Sequence, residues 1–175
     1  MLGIEELKIQ VYYQLISVYQ YQKLLLHSVI FKMEIILSSS DKYQKVASAS
    51  KWTSDNGVES HWVDIRTFWI EGEKRNPTRK GVMLRLNEYI KMMPWLFHRV
   101  ESKDVFEETL IPMGPKMENT KKDRVIQIKK NSDKPYMMDI VLNNTKGESQ
   151  ISLTVSEVNE LWSNQGKICN FFKEN

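Results

Sequence analysis

The chain has 175 residues, of which 41% are hydrophobic, and its 25 Lys and Arg against 22 Asp and Glu give a formal net charge of +3. This apolar fraction is sufficient for the packed core of one ordinary domain or of two small ones. The small net charge permits an anionic partner without requiring one, so local clustering of charge must decide. A single cysteine, Cys169, excludes an intramolecular disulfide and fits a reducing, intracellular compartment.

Residues 1–32 form an apolar N-terminal segment. The run VYYQLISVYQYQKLLLHSVIF contains several glutamines together with Lys23 and His27, which a membrane-spanning helix rarely tolerates. Glu5 and Glu6 stand where a secretory signal carries positive charge. We therefore expect residues 1–32 to be a helical arm or an upstream extension of the reading frame, and we expect no membrane partner.

Residues 43–70 have the pattern of a β-hairpin. Two runs rich in β-branched and aromatic residues, YQKVASASKW and VESHWVDIRTFWI, flank the turn signal SDNG. Asn and Gly accept the positive φ angles of tight hairpin turns. Side chains alternate along a strand, so the second run has two faces, one of which is expected to be core. One face carries Trp62, Asp64, Arg66 and Phe68, and the other carries Val63, Ile65, Thr67 and Trp69.

A dense basic segment, KRNPTRKG, follows the hairpin. Pro77 lacks a backbone donor and Gly81 permits unusual dihedral angles, so we predict a turn here that neither a strand nor a helix can cross. Crowding positive side chains costs electrostatic repulsion, which favours contact with phosphates over a loop kept basic for solubility. The positive side chains of this predicted turn are Lys74, Arg75, Arg79 and Lys80.

The rest of the chain is predicted to repeat the same order of elements. GVMLRL is a predicted strand, NEYIKMMPWLF is a predicted helix broken or kinked at Pro94, and residues 101–122 are a predicted linker. RVIQIKK, YMMDIVLN and QISLTV then read as strands, and SEVNELWSNQG reads as a helix. Aligning the copies pairs Asp64 with Asp139, Leu84 with Leu153 and Glu88 with Glu157. This pattern predicts an internal duplication, since repeated units commonly bury each other's faces.

The stretch WVDIRTFWIEGEKRNPTRKGVMLRLNEY resembles the single-stranded-DNA-binding domain of the positive cofactor 4 family of transcriptional coactivators. In that family a DIREYW strand is followed by a loop, by RKG, by a short strand and by a helix. The corresponding pieces here are DIRTFW at 64–69, RKG at 79–81 and VML at 82–84. The resemblance is weaker in the preceding hairpin, and the second copy keeps only the hydrophobic framework.

The resemblance implies an α+β fold with two repeats of a curved antiparallel β-sheet followed by a helix, packed as an intramolecular pseudo-dimer. Residues 33–100 are then the first repeat and residues 123–175 the second. The implied function is binding of single-stranded DNA without sequence specificity, with no cofactor, in support of transcription or replication. The resemblance carries over Arg66, Trp69, Arg79 and Lys80 as residues that contact nucleic acid. The charges or rings of the basic segment and of the second copy add Lys74, Arg75, Lys129, Lys134, Tyr136 and Lys146 as expected contacts.

Two departures from the family pattern predict unequal binding by the two halves. The first hairpin, SDNGVES, lacks the aromatic residue and the lysine that are usual at its tip, and the second copy has TKGES in place of RKG. Trp69 has two readings, a core residue or a platform for a base, and the sequence leaves both open. Aromatic faces beside a basic groove are what proteins use to hold single strands without reading their sequence.

Catalysis is not expected. His27, His61 and His98 are widely separated, Cys169 has no partner for a metal site, and no glycine-rich phosphate loop or nucleophile elbow occurs. Asp64 and Asp139 are more economically explained as a repeated structural hydrogen bond than as paired catalytic carboxylates. The alternatives that remain are a protein interaction scaffold and a module for single-stranded RNA.

Partners and location follow from the same resemblance. Transcription or replication proteins are candidate partners besides DNA, and further self-association of the whole chain is left open. The expected location is the nucleus or another compartment that contains DNA, including that of a viral protein in its host cell.

Overall fold

The structure, a computed structural model, describes residues 32–54, 56–101, 109–112, 125–144 and 147–174. The predicted N-terminal arm lies outside these ranges, apart from Lys32, which begins the first strand. Among the residues that the structure describes, no helix is long and apolar enough to cross a membrane.

The first sheet is antiparallel, with four strands in the order β1-β2-β3-β4. The strands are β1 (Lys32–Ser39), β2 (Tyr43–Thr53), β3 (Glu59–Glu71) and β4 (Lys74–Arg85), and helix α1 (Leu86–Glu101) follows them. The hairpin predicted at SDNG joins β2 to β3 and is confirmed. Gly57 takes a φ of 77° there, and the Ser54 amide donates to the Val58 carbonyl at 2.9 Å.

The basic segment is a strand, and the prediction that it forms a turn is wrong. The turn lies earlier, at Gly72 with a φ of 59°, and β4 pairs with β3 from Lys74 to Arg85 across a register shift. Because β4 is an edge strand, the missing donor of Pro77 does not break a ladder on both sides. Gly81 does not have a positive φ. A Cβ at Gly81 would lie 3.0 Å from the carbonyl oxygen of Ile65, so this glycine is needed for close approach.

The second sheet is also antiparallel, with four strands in the order β5-β6-β7-β8. Its strands are β5 (Thr109–Pro112), β6 (Val125–Lys130), β7 (Met137–Asn144) and β8 (Gly147–Thr154), followed by helices α2 (Val155–Ser163) and α3 (Gln165–Glu174). The segment 101–122, predicted to be a linker, contains β5, which pairs with β6. The second sheet-helix unit therefore begins before residue 123.

Helix α1 runs from Leu86 to Glu101 with Pro94 inside it, so of the two predicted outcomes, a break or a kink, the break does not occur. Pro94 is exposed, whereas Met92, Met93 and Leu96 on the other side of the helix are fully buried. Burial of these side chains on both sides of the proline outweighs the backbone hydrogen bond that it removes.

The two sheets share one core. A single cluster of buried side chains includes Ile65 and Leu84 of the first sheet, Ile140 and Leu153 of the second, and Val158 of α2. Helices α1 and α2 pack against each other, and the rings of Phe97 and Trp162 stack with centroids 4.4 Å apart. The predicted α+β class with two antiparallel sheets is confirmed at this level.

Residues that the sequence aligned occupy matching places in the two units. Asp64 lies opposite Met83 and Asp139 lies opposite Ser152, each on the third strand of its sheet. Directly after each sheet, a glutamate caps the following helix. Glu88 Oε2 accepts from the Arg85 amide at 2.8 Å, and Glu157 Oε2 accepts from the Thr154 amide at 2.8 Å.

Candidate nucleic-acid interface

The inner face of the first sheet, on which Ile65 and Val82 are buried, changes from apolar to polar along β3. Lys45 pairs with Thr67 on this face, and Tyr43 pairs with Trp69 beyond them. Trp69 is 38% exposed and Tyr43 is 49% exposed. Their rings meet edge to face with centroids 4.9 Å apart. Trp69 therefore lies on the core face but beyond the end of the core, where its ring is open to a ligand.

A groove of about 780 Å³ opens between this polar end of the inner face and the second unit. Its floor comes from the first sheet, and its opposite wall is the hairpin between β6 and β7. The floor residues include Tyr43, Lys45, Trp69 and Lys80, and the wall residues include Asn131, Lys134 and Met137.

An ion pair ties the groove floor to helix α2. Lys45 Nζ donates to Glu157 Oε2 at 2.7 Å and to the Ser152 carbonyl at 2.7 Å, and Ser38 Oγ donates to Glu157 Oε1 at 2.5 Å. Burial works to raise the pKa of Glu157, but the hydrogen bonds from Lys45, Ser38 and the Thr154 amide outweigh it and hold this pKa below its ordinary value. Glu157 is thus an anion in the fold and neutralises Lys45.

A chain of hydrogen bonds fixes the wall of the groove. Asn131 Oδ1 accepts from the Lys134 amide at 2.8 Å, and Asn131 Nδ2 donates to Asp139 Oδ1 at 2.9 Å. Asp139 is buried and also accepts from Ser152 Oγ at 2.6 Å. The Ser152 carbonyl is the group that accepts from Lys45. The hairpin that carries Lys134 is therefore linked through polar contacts to the groove floor.

The repeated aspartates have structural partners, as the sequence suggested. Asp139 accepts from Asn131 and Ser152, and Asp64 accepts from Arg66 Nε at 2.9 Å. Among the described residues, no group of three or more His, Cys, Asp or Glu side chains is placed to hold a metal ion.

Charge in the groove is mixed, with a positive excess. Its lining includes Lys45, Lys80 and Lys134 together with Glu157 and Asp133. Lys45 is paired with Glu157, so Lys80 and Lys134 are the other cations among the described lining residues. They come from different units, one on the floor and one on the wall.

Two predicted contact residues lie on the opposite, outer face of the first sheet. Arg66 is held by Asp64 and donates from Nη1 to the Thr78 carbonyl at 2.9 Å. Arg75 donates from Nη2 to Glu34 Oε2 at 2.6 Å, and its guanidinium lies 4.7 Å from the ring centre of Phe68. These arginines hold the sheet together and are not brought to the groove with Trp69.

The remaining predicted residues flank the groove or lie apart from it. Lys74 and Arg79 are exposed on β4, on the same edge strand as Lys80. Tyr136 is 62% exposed in the β6–β7 turn, two residues from Lys134. Lys129 is half-buried on β6 opposite Asp139. Lys146 lies outside the described residues.

Sequence reasoning missed Tyr43, Lys45 and Glu157. The first two could have been found, because counting outward from the SDNG turn places Tyr43 opposite Trp69 and Lys45 opposite Thr67. No local signal predicts the contact between Glu157 and Lys45, which are 112 residues apart in the sequence.

Comparison of the chain with protein-family models, with curated proteins and with solved structures finds no match.

Proposed function

We propose that the protein binds single-stranded DNA with little sequence preference and that the groove between the two units holds the strand. The observation that carries the proposal is the open aromatic pair of Tyr43 and Trp69 beside Lys80 and Lys134. Every base has a π face, so aromatic stacking tolerates any sequence, and lysines provide the sequence-independent attraction to phosphates. Two further cations of β4, Lys74 and Arg79, are exposed and add positive charge beyond the groove.

The proposal includes the architecture of the positive cofactor 4 family, with two divergent repeats packed as an intramolecular pseudo-dimer. The matching registers around Asp64 and Asp139 and the matching helix caps at Glu88 and Glu157 support this interpretation. Arg66 and Arg75 then serve the sheet itself, and the protein is a binding module with no catalytic role. Support of transcription or replication, in the nucleus or another DNA-containing compartment, follows from the same resemblance.

A filter-binding titration against single-stranded DNA, duplex DNA and single-stranded RNA at matched salt tests the proposal. We expect the tightest binding to single-stranded DNA, because the bases of a duplex are stacked and cannot reach Trp69. Each phosphate neutralised on a single strand should contribute about 0.7 to the slope of log affinity against log salt. Equal or tighter binding to duplex would overturn the proposal, tighter binding to RNA would favour an RNA module, and no binding would favour a protein interaction scaffold.

A further inference from the structure

We infer that the chain holds a single strand, in one composite groove whose floor comes from the first unit and whose wall comes from the second. A symmetric platform with two units would have a second groove, built from the floor of the second sheet and the hairpin of the first unit. This inference rests on the proposed function. It adds that each chain binds one strand of DNA and that each unit supplies a different part of the site.

The surface of the second sheet that matches the groove floor of the first sheet is not polar in the same way. Counted from the matched aspartates Asp64 and Asp139, Thr67 corresponds to Leu142, and Trp69 corresponds to Asn144. The ring that offers a stacking face in the first unit is therefore replaced by an amide residue in the second.

The neighbouring strands show the same replacement. Lys45 lies opposite Thr67, whereas Ile126 lies opposite Leu142 at the matching place. Ser38 in turn lies opposite Lys45, whereas Ile111 lies opposite Ile126. Ile126, Leu142 and Ile111 are 0%, 1% and 6% exposed. Where the first sheet presents a polar floor, the second sheet has buried aliphatic side chains that cannot contact a strand.

The hairpins differ in the opposite sense, because here the first unit lacks the residues that the second unit has. The wall of the observed groove is the β6–β7 hairpin, which carries Lys134 and, two residues on, the exposed Tyr136. The matching hairpin of the first unit joins β2 to β3 through SDNGV, which contains neither a cation nor an aromatic residue. Among the described residues, the first unit therefore supplies a polar floor without a matching basic hairpin, and the second unit supplies the basic hairpin without a matching polar floor.

In the part of the chain that the structure describes, these complementary differences leave one complete site. Lys80 on the floor and Lys134 on the wall face the same groove, and the hydrogen bonds through Asn131, Asp139 and Ser152 fix the wall relative to Lys45. Both lysines therefore contact the same strand, and neither unit forms a site by itself.

Isothermal titration calorimetry of the full chain with an oligodeoxythymidine of about 8 nucleotides, within the usual range of single-strand site sizes, tests this directly. We expect one oligonucleotide per chain. Lys80→Ala and Lys134→Ala should each weaken all of the binding several-fold, leave the stoichiometry at one, and lower the salt slope by about 0.7. The double substitution Lys91→Ala and Lys167→Ala, on exposed positions of α1 and α3, removes two positive charges and should leave affinity within twofold.

Two oligonucleotides per chain would overturn the inference, as would variants that each abolish one class of site and leave another intact. Full affinity and an unchanged salt slope in Lys134→Ala would also overturn it, because the wall would then not touch the strand. Absence of binding by the unaltered chain would refute the proposed function itself, which separates the two failures.

Discussion

At the scale of single residues, the proposed stacking of a base in the groove depends on Trp69. Its position combines an exposed ring with a neighbour, Tyr43, that packs against its side and fixes its plane. A ring held in place loses little further entropy when a base stacks on it, and such a stack is worth roughly 1–3 kcal/mol.

Trp69→Ala is therefore expected to weaken binding of single-stranded DNA by about tenfold or more, whereas Trp69→Phe, which keeps a ring, should weaken it less. Fluorescence anisotropy with a labelled oligonucleotide measures both. Trp52→Ala is the matched control, because Trp52 is 51% exposed near the opposite end of β2. Equal losses in the Trp69 and Trp52 variants would show that the effect is not specific to the groove.

Gly81 is the residue whose role differs most from its sequence interpretation. Its missing side chain leaves space for Arg66, whose Cβ and Cγ would each lie 3.1 Å from an added Cβ. Arg66 passes over this glycine on its way to the Thr78 carbonyl, so the contact also fixes the shifted register of β4.

Gly81→Ala is expected to destabilise the fold by about 1–3 kcal/mol, as overpacking usually does, because backbone as well as a side chain must move. Gly166→Ala is the control, since an added Cβ there meets nothing within 4 Å and alanine favours the helix by about 0.5 kcal/mol or more. Chemical denaturation monitored by circular dichroism compares the two. An unchanged unfolding midpoint in Gly81→Ala would contradict the steric explanation.

At the scale of elements, one glutamate joins helix α2 to the first sheet. Glu157 completes the capping box of α2 with Thr154 and at the same time receives hydrogen bonds from Lys45 on β2 and Ser38 on β1. The same carboxylate thus fixes where the helix begins and where it docks. Both groups of the pair are largely buried, so removing one of them leaves the other without its counter-charge.

Glu157→Gln is expected to lower the free energy of unfolding near neutral pH by about 3 kcal/mol, because Lys45 loses its counter-charge. The folded pKa of Glu157 lies below its ordinary value of 4.5, so the stabilisation is fully present above that value. It is lost as the pH falls through the lower, folded pKa. The unaltered chain should therefore lose more stability than the variant between about pH 6 and about pH 3.

Urea midpoints measured across that pH range test the linkage. Glu148→Gln, at an exposed position of β8, removes the same charge outside the ion pair and should follow the unaltered chain. If the Glu157→Gln curve ran parallel to that of the unaltered chain, the ion pair would not be the source of the acid sensitivity.

At the scale of the whole molecule, sequence patterns correctly predicted those strands and strand faces that depend on neighbouring residues alone. The SDNG turn and the alternating runs predicted β2, β3 and their faces, and the same alternation already placed Arg66 and Trp69 on opposite faces. The basic segment was predicted to be a turn but forms β4, because an edge strand tolerates Pro77. The segment 101–122 was predicted to be a linker because it contains prolines, but it includes the short strand β5.

The candidate site was predictable only in part, because its pieces come from distant parts of the chain. The basic segment and the second hairpin were each identified from their charges, but only the packing of two sheets brings Lys80 and Lys134 to one groove. The ion pair of Lys45 and Glu157 depends entirely on that packing. Sequence patterns set the faces of strands, whereas tertiary contacts decide which face meets which partner.

The shared core predicts that one unit does not fold well without the other. The inner side of the first unit buries Val63, Leu84 and Met92 completely, in one cluster with side chains of the second sheet and of α2. Residues 32–101 expressed alone would expose this surface, and exposed apolar patches drive association or unfolding.

We therefore expect the isolated 32–101 segment to self-associate or to lack a cooperative thermal transition, whereas the full chain shows one under the same conditions. Size-exclusion chromatography with light scattering gives the mass, and circular dichroism gives the transition. A dimer of the segment would fit the proposed pseudo-dimer, because a second copy would then cover the face that α2 and the second sheet cover in the full chain. A soluble monomer with a sharp transition would contradict the mutual dependence of the units, since its apolar inner face would have to be stable in water.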